Sequence, residues 1–191
     1  MAAYNKFVSM PFIPYRIMEY LAYNNENIWK ILRYDTYDCL SKSNLTFDEK
    51  MDLIWKNQGN QQDYRVFLTW LVENMIPDST TLLKLFRYNT MPQNNLEAYA
   101  TYEFNLLYGG KIALIDYQGV PCSRGDVLEA EILQTLNGKD VGGVGMLQFN
   151  RQVSSVSHSQ LNIGNNETFE GISLWMGIYI NEVGADAYGC Q

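Results

Sequence analysis

One thirteen-residue stretch, Leu96 to Tyr108, constrains the fold more than any other part of the chain. Its even positions are all apolar: Leu96, Ala98, Ala100, Tyr102, Phe104, Leu106 and Tyr108. Its odd positions are mostly polar and include Glu97, Thr101, Glu103 and Asn105. A period of two over this length predicts one β-strand with a buried side and a solvent-facing side. Because ordinary strands have about five or six residues, we expect a strand of about 40 Å to reach beyond its own domain or to continue a sheet into a neighbouring molecule.

The first sixty residues carry helical signals. Pro14 suits the first turn of a helix, and a second amphipathic helix is predicted around Ile28 to Leu32. Thr46 and Glu49 form the capping-box pattern of a third helix, which we expect to end near Gly59. This part of the chain is therefore predicted to be helical.

The polar segment from Asn57 to Gln62 marks the point where the helical period gives way to a period of two. It divides the chain into a helical N-terminal segment, residues 1–62, and a domain of residues 63–191. Within the second part we predict strands at Tyr64 to Val72, Thr81 to Tyr88, Leu96 to Tyr108, Val144 to Phe149 and Ile172 to Ile180, and a helix between Ser123 and Asn137. Turns or breaks are expected at Pro77 to Ser79 and at Pro92, and a loop from Gln152 to Asn166. The predicted fold class is α+β, with the N-terminal helical segment followed by a β-β-β-α-β-β sheet domain.

Composition excludes several classes of protein. Apolar residues make up 47% of the chain and charged residues 18%, which is typical of a globular protein. The net charge of −7 disfavours tight nucleic-acid binding, although DNA could slide past an acidic surface without being held. The three cysteines are far apart and predict neither a zinc site nor a disulfide framework. Neither a signal peptide nor a membrane-spanning segment is expected.

The residues that most resemble catalytic or binding motifs have simpler explanations. His158 is the only histidine and lies in a predicted loop without the partners of a catalytic triad. The segment Gly142 to Gly145 lacks the third glycine of a dinucleotide fingerprint and suits a tight turn. The triplet Arg124-Gly125-Asp126 could serve as an adhesion ligand on a loop, but its Asp is better placed at a helix N-terminus. We therefore expect no enzyme activity, no catalytic residue, no cofactor and no metal.

The run from Gln134 to Arg151, with the sequence QTLNGKDVGGVGMLQFNR, resembles a segment of the neck and tail-completion proteins of tailed bacteriophages. In that family a helix ends in an Asn-Gly turn, and glycines then lead into a strand that closes with Phe-Asn-Arg. The blocks YRVFLTWLVEN, TLLKLFRYNTMPQN and GISLWMGIYI are also similar to strands of that family. The resemblance covers about Tyr64 to Ile180.

The resemblance implies a structural subunit of an oligomeric ring at the head–tail junction of a virion, acting as a connector, stopper or tail terminator. The implied partners are other copies of the chain and neighbouring portal, neck or tail proteins, with DNA passing through and no membrane. The implied location is the virion neck or tail, after synthesis in the cytoplasm of the bacterial host.

The predicted long strand and the fourteen tyrosines suit contacts between subunits. The candidate interface residues are Tyr99, Thr101 and Glu103 on the odd side of the long strand. Two alternatives stay open: a soluble α+β ligand-binding or enzymatic protein of unknown substrate, and an adaptor for a host protein.

Overall fold

The computed structural model describes residues 6–70, 80–94, 97–141, 143, 145–149, 156–163 and 167–181. The helices are α1 (Lys6–Ser9), α2 (Ile13–Asn24), α3 (Glu26–Arg33), α4 (Phe47–Met51) and α5 (Arg124–Leu136). Short 3-10 turns occupy Met10–Phe12, Cys39–Ser41, Gln61–Asp63 and Gly110–Ile112. The strands are β1 (Val66–Phe67), β2 (Thr81–Pro92), β3 (Glu97–Gly109), β4 (Leu114–Tyr117), β5 (Val120–Ser123), β6 (Lys139–Asp140), β7 (Met146–Gln148), β8 (Val156–Ile163) and β9 (Glu167–Asn181).

Strand β3 is the centre of the main sheet, whose order is β1-β2-β3-β9-β7-β6, with β8 also paired to β9. It pairs antiparallel with β2 on one side and with β9 along its whole length on the other. Strands β4 and β5 form a separate hairpin. The predicted α+β class, the N-terminal helices and the long strand are confirmed.

The main sheet has two unlike faces. The helix-side face carries Tyr102 and Phe104 of β3, with Met176 and Leu174 opposite them on β9. These side chains are fully buried and belong to one hydrophobic cluster with residues of α2, α3 and α5. The N-terminal helices and the sheet therefore share a single core. We call the opposite side of the sheet, which carries the odd positions of β3, the outer face.

Local chemistry sets the helix starts where the sequence predicts them. The Thr46 hydroxyl accepts a hydrogen bond from the Glu49 N–H, and the Glu49 carboxylate accepts one from the Thr46 N–H, which completes the capping box of α4. The Ser123 hydroxyl accepts from the Asp126 N–H and begins α5 in the same way. Each side chain satisfies backbone donors that a helix cannot pair internally.

The third predicted helix is shorter than expected. It ends at Met51, because the next residues pair with the chain that leads into β1. The Leu53 carbonyl accepts from the N–H groups of Arg65 and Val66, and the Trp55 N–H donates to the Val66 carbonyl. The polar segment between Trp55 and Arg65 is therefore a loop whose two ends are joined by these hydrogen bonds.

Three further predictions are wrong in extent or type. The strand expected at Tyr64 to Val72 is only β1, because residues 68–70 bend away; Val72 itself and the turn expected at Pro77 to Ser79 lie outside the described residues. The loop expected at Gln152 to Asn166 contains β8, which pairs with β9. The strand expected at Thr81 to Tyr88 runs four residues further, and the break expected at Pro92 is where β2 ends, at an edge that tolerates a missing N–H.

Candidate interaction surface

The three candidate interface residues all lie on the outer face, but two of them are buried within the chain. Thr101 is 5% and Glu103 8% exposed, whereas Tyr99 is half-buried. The expectation that this side of the strand faces solvent is therefore wrong at Thr101 and Glu103. The reason is the central position of β3 between β2 and β9. Two large side chains of these neighbouring strands, Tyr88 and Trp175, meet edge to face with ring centroids 6.2 Å apart.

Glu103 belongs to a small polar network. Its carboxylate accepts a hydrogen bond of 2.8 Å from the Ser173 hydroxyl, and that hydroxyl accepts one of 2.9 Å from the Asn105 amide. Burial lowers the pKa of the neighbouring Lys84, while the negative charge of Glu103 acts in the opposite direction. The network therefore ties β3 to β9, and we assign it a role in sheet pairing.

Beyond this network the outer face carries a row of apolar side chains that crosses four strands, three of them exposed and one, Tyr99, half-buried. Met91 of β2, Tyr99 of β3 and Tyr179 of β9 are paired in register. Met146 of β7 continues the row, because its neighbour Gln148 pairs with Gly177 of β9 and residues two apart share a face. Met91 is 38%, Tyr179 43% and Met146 49% exposed. We call these four residues the sheet row.

Gly177 fixes the position of the Tyr99 ring in the sheet row. A β-carbon at Gly177 would lie 2.0 Å from ring atoms of Tyr99. The hydroxyl end of the ring therefore lies directly against the glycine. Packing against the glycine restricts the ring, and a side chain that is restricted before binding lowers the entropic cost of a contact.

A second exposed apolar surface lies on the N-terminal helices. Residues at successive spacings of four, three and eight fall on one side of α1, the following turn and α2. They are Val8 (66% exposed), Phe12 (58%), Tyr15 (43%) and Tyr23 (74%). The half-buried Glu19 lies on the same side between Tyr15 and Tyr23, and the Tyr23 ring stacks on Phe47. The opposite side, with Ile13, Ile17 and Leu21, is buried in the core. We call the four exposed residues the helix stripe.

The sequence interpretation did not identify the helix stripe. The signal that could have found it is a second apolar face. A surface helix ordinarily carries polar residues opposite its core side, whereas Phe12 and Tyr15 stand opposite Ile17.

Arg124, of the possible adhesion triplet, is fully buried and not available to a partner. Its guanidinium donates to the carbonyl oxygens of Ile112, Ile31, Tyr34 and Thr36 and to the Thr81 hydroxyl, at 2.7–3.2 Å. Burial lowers the pKa of Arg124 and raises the pKa of the nearby Cys39 thiol. The triplet is therefore a structural element, and Cys39 is held as an unreactive thiol.

One surface cavity of about 350 Å³ is lined by Arg33, Tyr34, Leu45, Glu49, Asp52, Leu53 and Asp63. Its Glu49 carboxylate is engaged in the capping box, and the hydrogen bonds from Thr46 hold its pKa below the usual range. Within the part of the chain that the structure describes, no group of His, Cys, Asp or Glu residues could hold a metal ion.

Two other sequence motifs lie in the sheet or in a connection between its strands. The backbone of His158 lies in β8, opposite Ile172 of β9, and not in a loop. Gly143 and Gly145 both have positive φ angles, of 75° and 127°, between β6 and β7. These two glycines thus form a tight connection between strands, as expected for a turn.

None of the helices in the described ranges is both long and apolar enough to cross a membrane. A protein-family model described as YomW matches residues 25–178 of the chain. No curated protein and no solved structure matches it. The family name comes from a phage-like (SPbeta/prophage) gene cluster of Bacillus. Because the match covers most of the chain, including the sheet and α5, the protein belongs to the YomW family and is phage-associated.

Proposed function

We propose that the protein is a structural subunit of an oligomeric ring at the head–tail junction of a tailed bacteriophage, as a neck connector or tail terminator that lines a passage for DNA. The observation that carries the proposal is the sheet row of Met91, Tyr99, Tyr179 and Met146 on three long strands and β7. Exposed apolar patches with polar surroundings are typical of protein–protein contact sites.

Two further observations support this role. The family is phage-associated. The net charge of −7 also suits a wall past which DNA moves, because no excess of cations would hold the phosphates. Its partners are then other copies of the chain and neighbouring portal, neck or tail proteins, and its location is the virion.

The test is to induce the phage, purify its particles and search them for this protein by quantitative mass spectrometry. We expect a fixed, small number of copies per particle, and we expect that deleting the gene leaves heads and tails unjoined in electron micrographs. Normal particles from the deletion strain would contradict the proposal. Particles of the parent strain that lack the protein would contradict it as well.

The cavity beside α4 favours a second candidate, a soluble ligand-binding or enzymatic protein. Its lining combines the cation Arg33 with the carboxylates of Asp52 and Asp63. A small molecule with both a negative and a positive group would match this lining. Replacing Asp52 and Asp63 by Asn should then abolish ligand binding in calorimetry without affecting particle assembly.

A further inference from the structure

We propose that copies of this chain associate head to tail, with the sheet row of one copy packed against the helix stripe of the next. The inference rests on the proposed ring and names the two surfaces that would form it. It concerns contacts between copies alone, so it can fail while the virion location holds.

The placement of the two surfaces favours this arrangement. Helices α2, α3 and α5 contact the sheet and share its helix-side core. The helix stripe points away from that core, and the sheet row lies on the outer face, so the two surfaces stand on opposite sides of a two-layer molecule. Such a pair makes a heterologous contact, which repeats from copy to copy and closes into a ring when the rotation allows it.

The shapes also match. The helix stripe is a ridge of side chains spaced by one or two helical turns, and the sheet row is a strip across four strands. Helix against sheet is a standard layer contact in α+β folds. Two of the four residues in the sheet row are methionines, Met91 and Met146, whose flexible thioethers adapt to irregular partners.

The exposed area is of the size that an interface core needs. A fully buried aromatic side chain contributes about 150–250 Å². With the exposed fractions of Phe12, Tyr15 and Tyr23, the helix stripe would bury roughly 350 Å² of aromatic surface, and Val8 adds to it. A standard interface buries about 800 Å² on each partner, with its apolar part at the centre. The helix stripe thus accounts for the apolar centre, and a polar rim supplies the rest.

Continuation of the sheet through β2 is a poorer way to join copies, because that edge is occupied or interrupted. The Leu83 N–H donates to the backbone carbonyl of Arg65, the residue before β1, and the Thr81 N–H donates to the Asp35 carboxylate. The Thr90 N–H donates to the Asn89 side chain, a bulge shifts the register between Arg87 and Asn89, and the strand ends in a proline. These features are the usual protection of an edge strand against pairing.

Two single substitutions each block one surface. Phe12→Glu places a charge in the helix stripe near the positive start of α2, where an acidic residue suits the helix. Met146→Glu places a charge in the sheet row. Val120→Glu is the matched control, because Val120 is equally exposed at 54% but lies on the β4–β5 hairpin, outside both surfaces. Circular dichroism and thermal unfolding establish that all three variants are folded.

Size-exclusion chromatography with light scattering over a hundredfold range of concentration measures the association of the full-length protein. We expect the wild type and Val120→Glu to form oligomers, and Phe12→Glu and Met146→Glu to need at least tenfold higher concentration. A mixture of the two blocked variants should form a species of two chains and stop there, because each supplies the surface that the other lacks.

The mixture separates head-to-tail pairing from other contacts. If one blocked variant by itself still dimerises at the concentration at which the wild type associates, the other surface pairs with its own copy and the proposal is overturned. A wild type that stays monomeric throughout, or a mixture that stays monomeric, also overturns it. Because the particle experiment above does not depend on these variants, the virion role and the contact between copies are tested separately.

Discussion

At the scale of single residues, Arg124 shows how one buried cation can connect distant parts of a chain. Its hydrogen bonds reach the end of α3, the loop after it, the start of β2 and the turn before β4. We expect Arg124→Lys to lower the free energy of unfolding by about 3 kcal/mol or more, because a lysine cannot serve the diverging carbonyls and unpaired buried acceptors cost about 1–3 kcal/mol each. Urea unfolding measures this loss. The exposed Arg33→Lys should stay within about 0.5 kcal/mol of the wild type, and an equal loss at both positions would contradict the role given to Arg124.

Glu103 and Phe104 test the two faces of β3. Phe104→Ala should cost about 3–5 kcal/mol, because the side chain is fully buried in the core. Alternation alone predicts almost no loss at Glu103, whereas the buried network predicts a loss of about 1–3 kcal/mol for Glu103→Ala, since Ser173 loses its acceptor. Glu103→Gln keeps a carbonyl oxygen and should recover part of that stability. If Glu103→Ala unfolds like the wild type, the network does not contribute.

Tyr108 makes stability depend on alkaline pH. Burial, together with the hydrogen bond to Glu170, raises the pKa of its phenol to about 12, although Ser123 acts in the opposite direction. In the unfolded chain the phenol ionises near its ordinary pKa of about 10. The contribution of the Tyr108 phenol to the free energy of unfolding is therefore fully present below pH 10, and it is lost as the pH rises through 12.

Comparison of the wild type with Tyr108→Phe isolates this contribution. Below pH 10 the variant should be less stable by about 1 kcal/mol, since Glu170 loses a donor. The difference in the free energy of unfolding should shrink as the pH rises from 10 to 12. A constant difference over that range would show that the Tyr108 pKa is ordinary.

At the scale of elements, α5 depends on a glycine for its close approach to the sheet. A β-carbon at Gly125 would lie 2.5 Å from the Tyr108 ring and 2.6 Å from Ile172. Alanine at a helical position ordinarily stabilises by about 1 kcal/mol relative to glycine. Here we expect the opposite sign, with Gly125→Ala destabilising by about 1–3 kcal/mol through overpacking. Thermal unfolding measures it, and the exposed Gln134→Ala on the same helix should change little. A stabilised Gly125→Ala variant would mean that the helix sits farther from the sheet.

The elements also show which parts of the fold local sequence determines. The caps of α4 and α5 are predictable, because Thr46 and Ser123 act on backbone groups three residues away. Strand β8 is not predictable in this way, since its polar residues carry no alternation and its order comes from pairing with β9. The β4–β5 hairpin was missed although Gln118 and Gly119, both with positive φ, mark its turn.

At the scale of the whole molecule, the sequence predicts the helical and sheet regions better than it predicts how they pack or which surfaces they form together. The change of period near Asn57 separates helices from sheet, but a pattern of single side chains cannot show that both pack into one core. The same limit applies to the candidate site. Tyr99 was identified from its position on the long strand, whereas the sheet row also needs Met91, Tyr179 and Met146, which only the pairing of four strands brings together.

The charge of the whole molecule gives the last prediction, which concerns DNA. A wall that lets DNA pass should not attract phosphates, and duplex DNA carries one negative charge per ~1.7 Å of its axis. With a net charge of −7, the protein should fail to shift a short linear duplex in a gel even at low salt, where attraction between opposite charges is least screened. The assay should be run at concentrations at which the wild type is oligomeric, because the inner wall of a ring exists only in the assembled form. A basic DNA-binding protein in the same gel serves as the positive control. A shift that is strong at low salt and lost on adding salt would contradict the acidic passage, because it would reveal a cationic surface that grips the phosphate backbone.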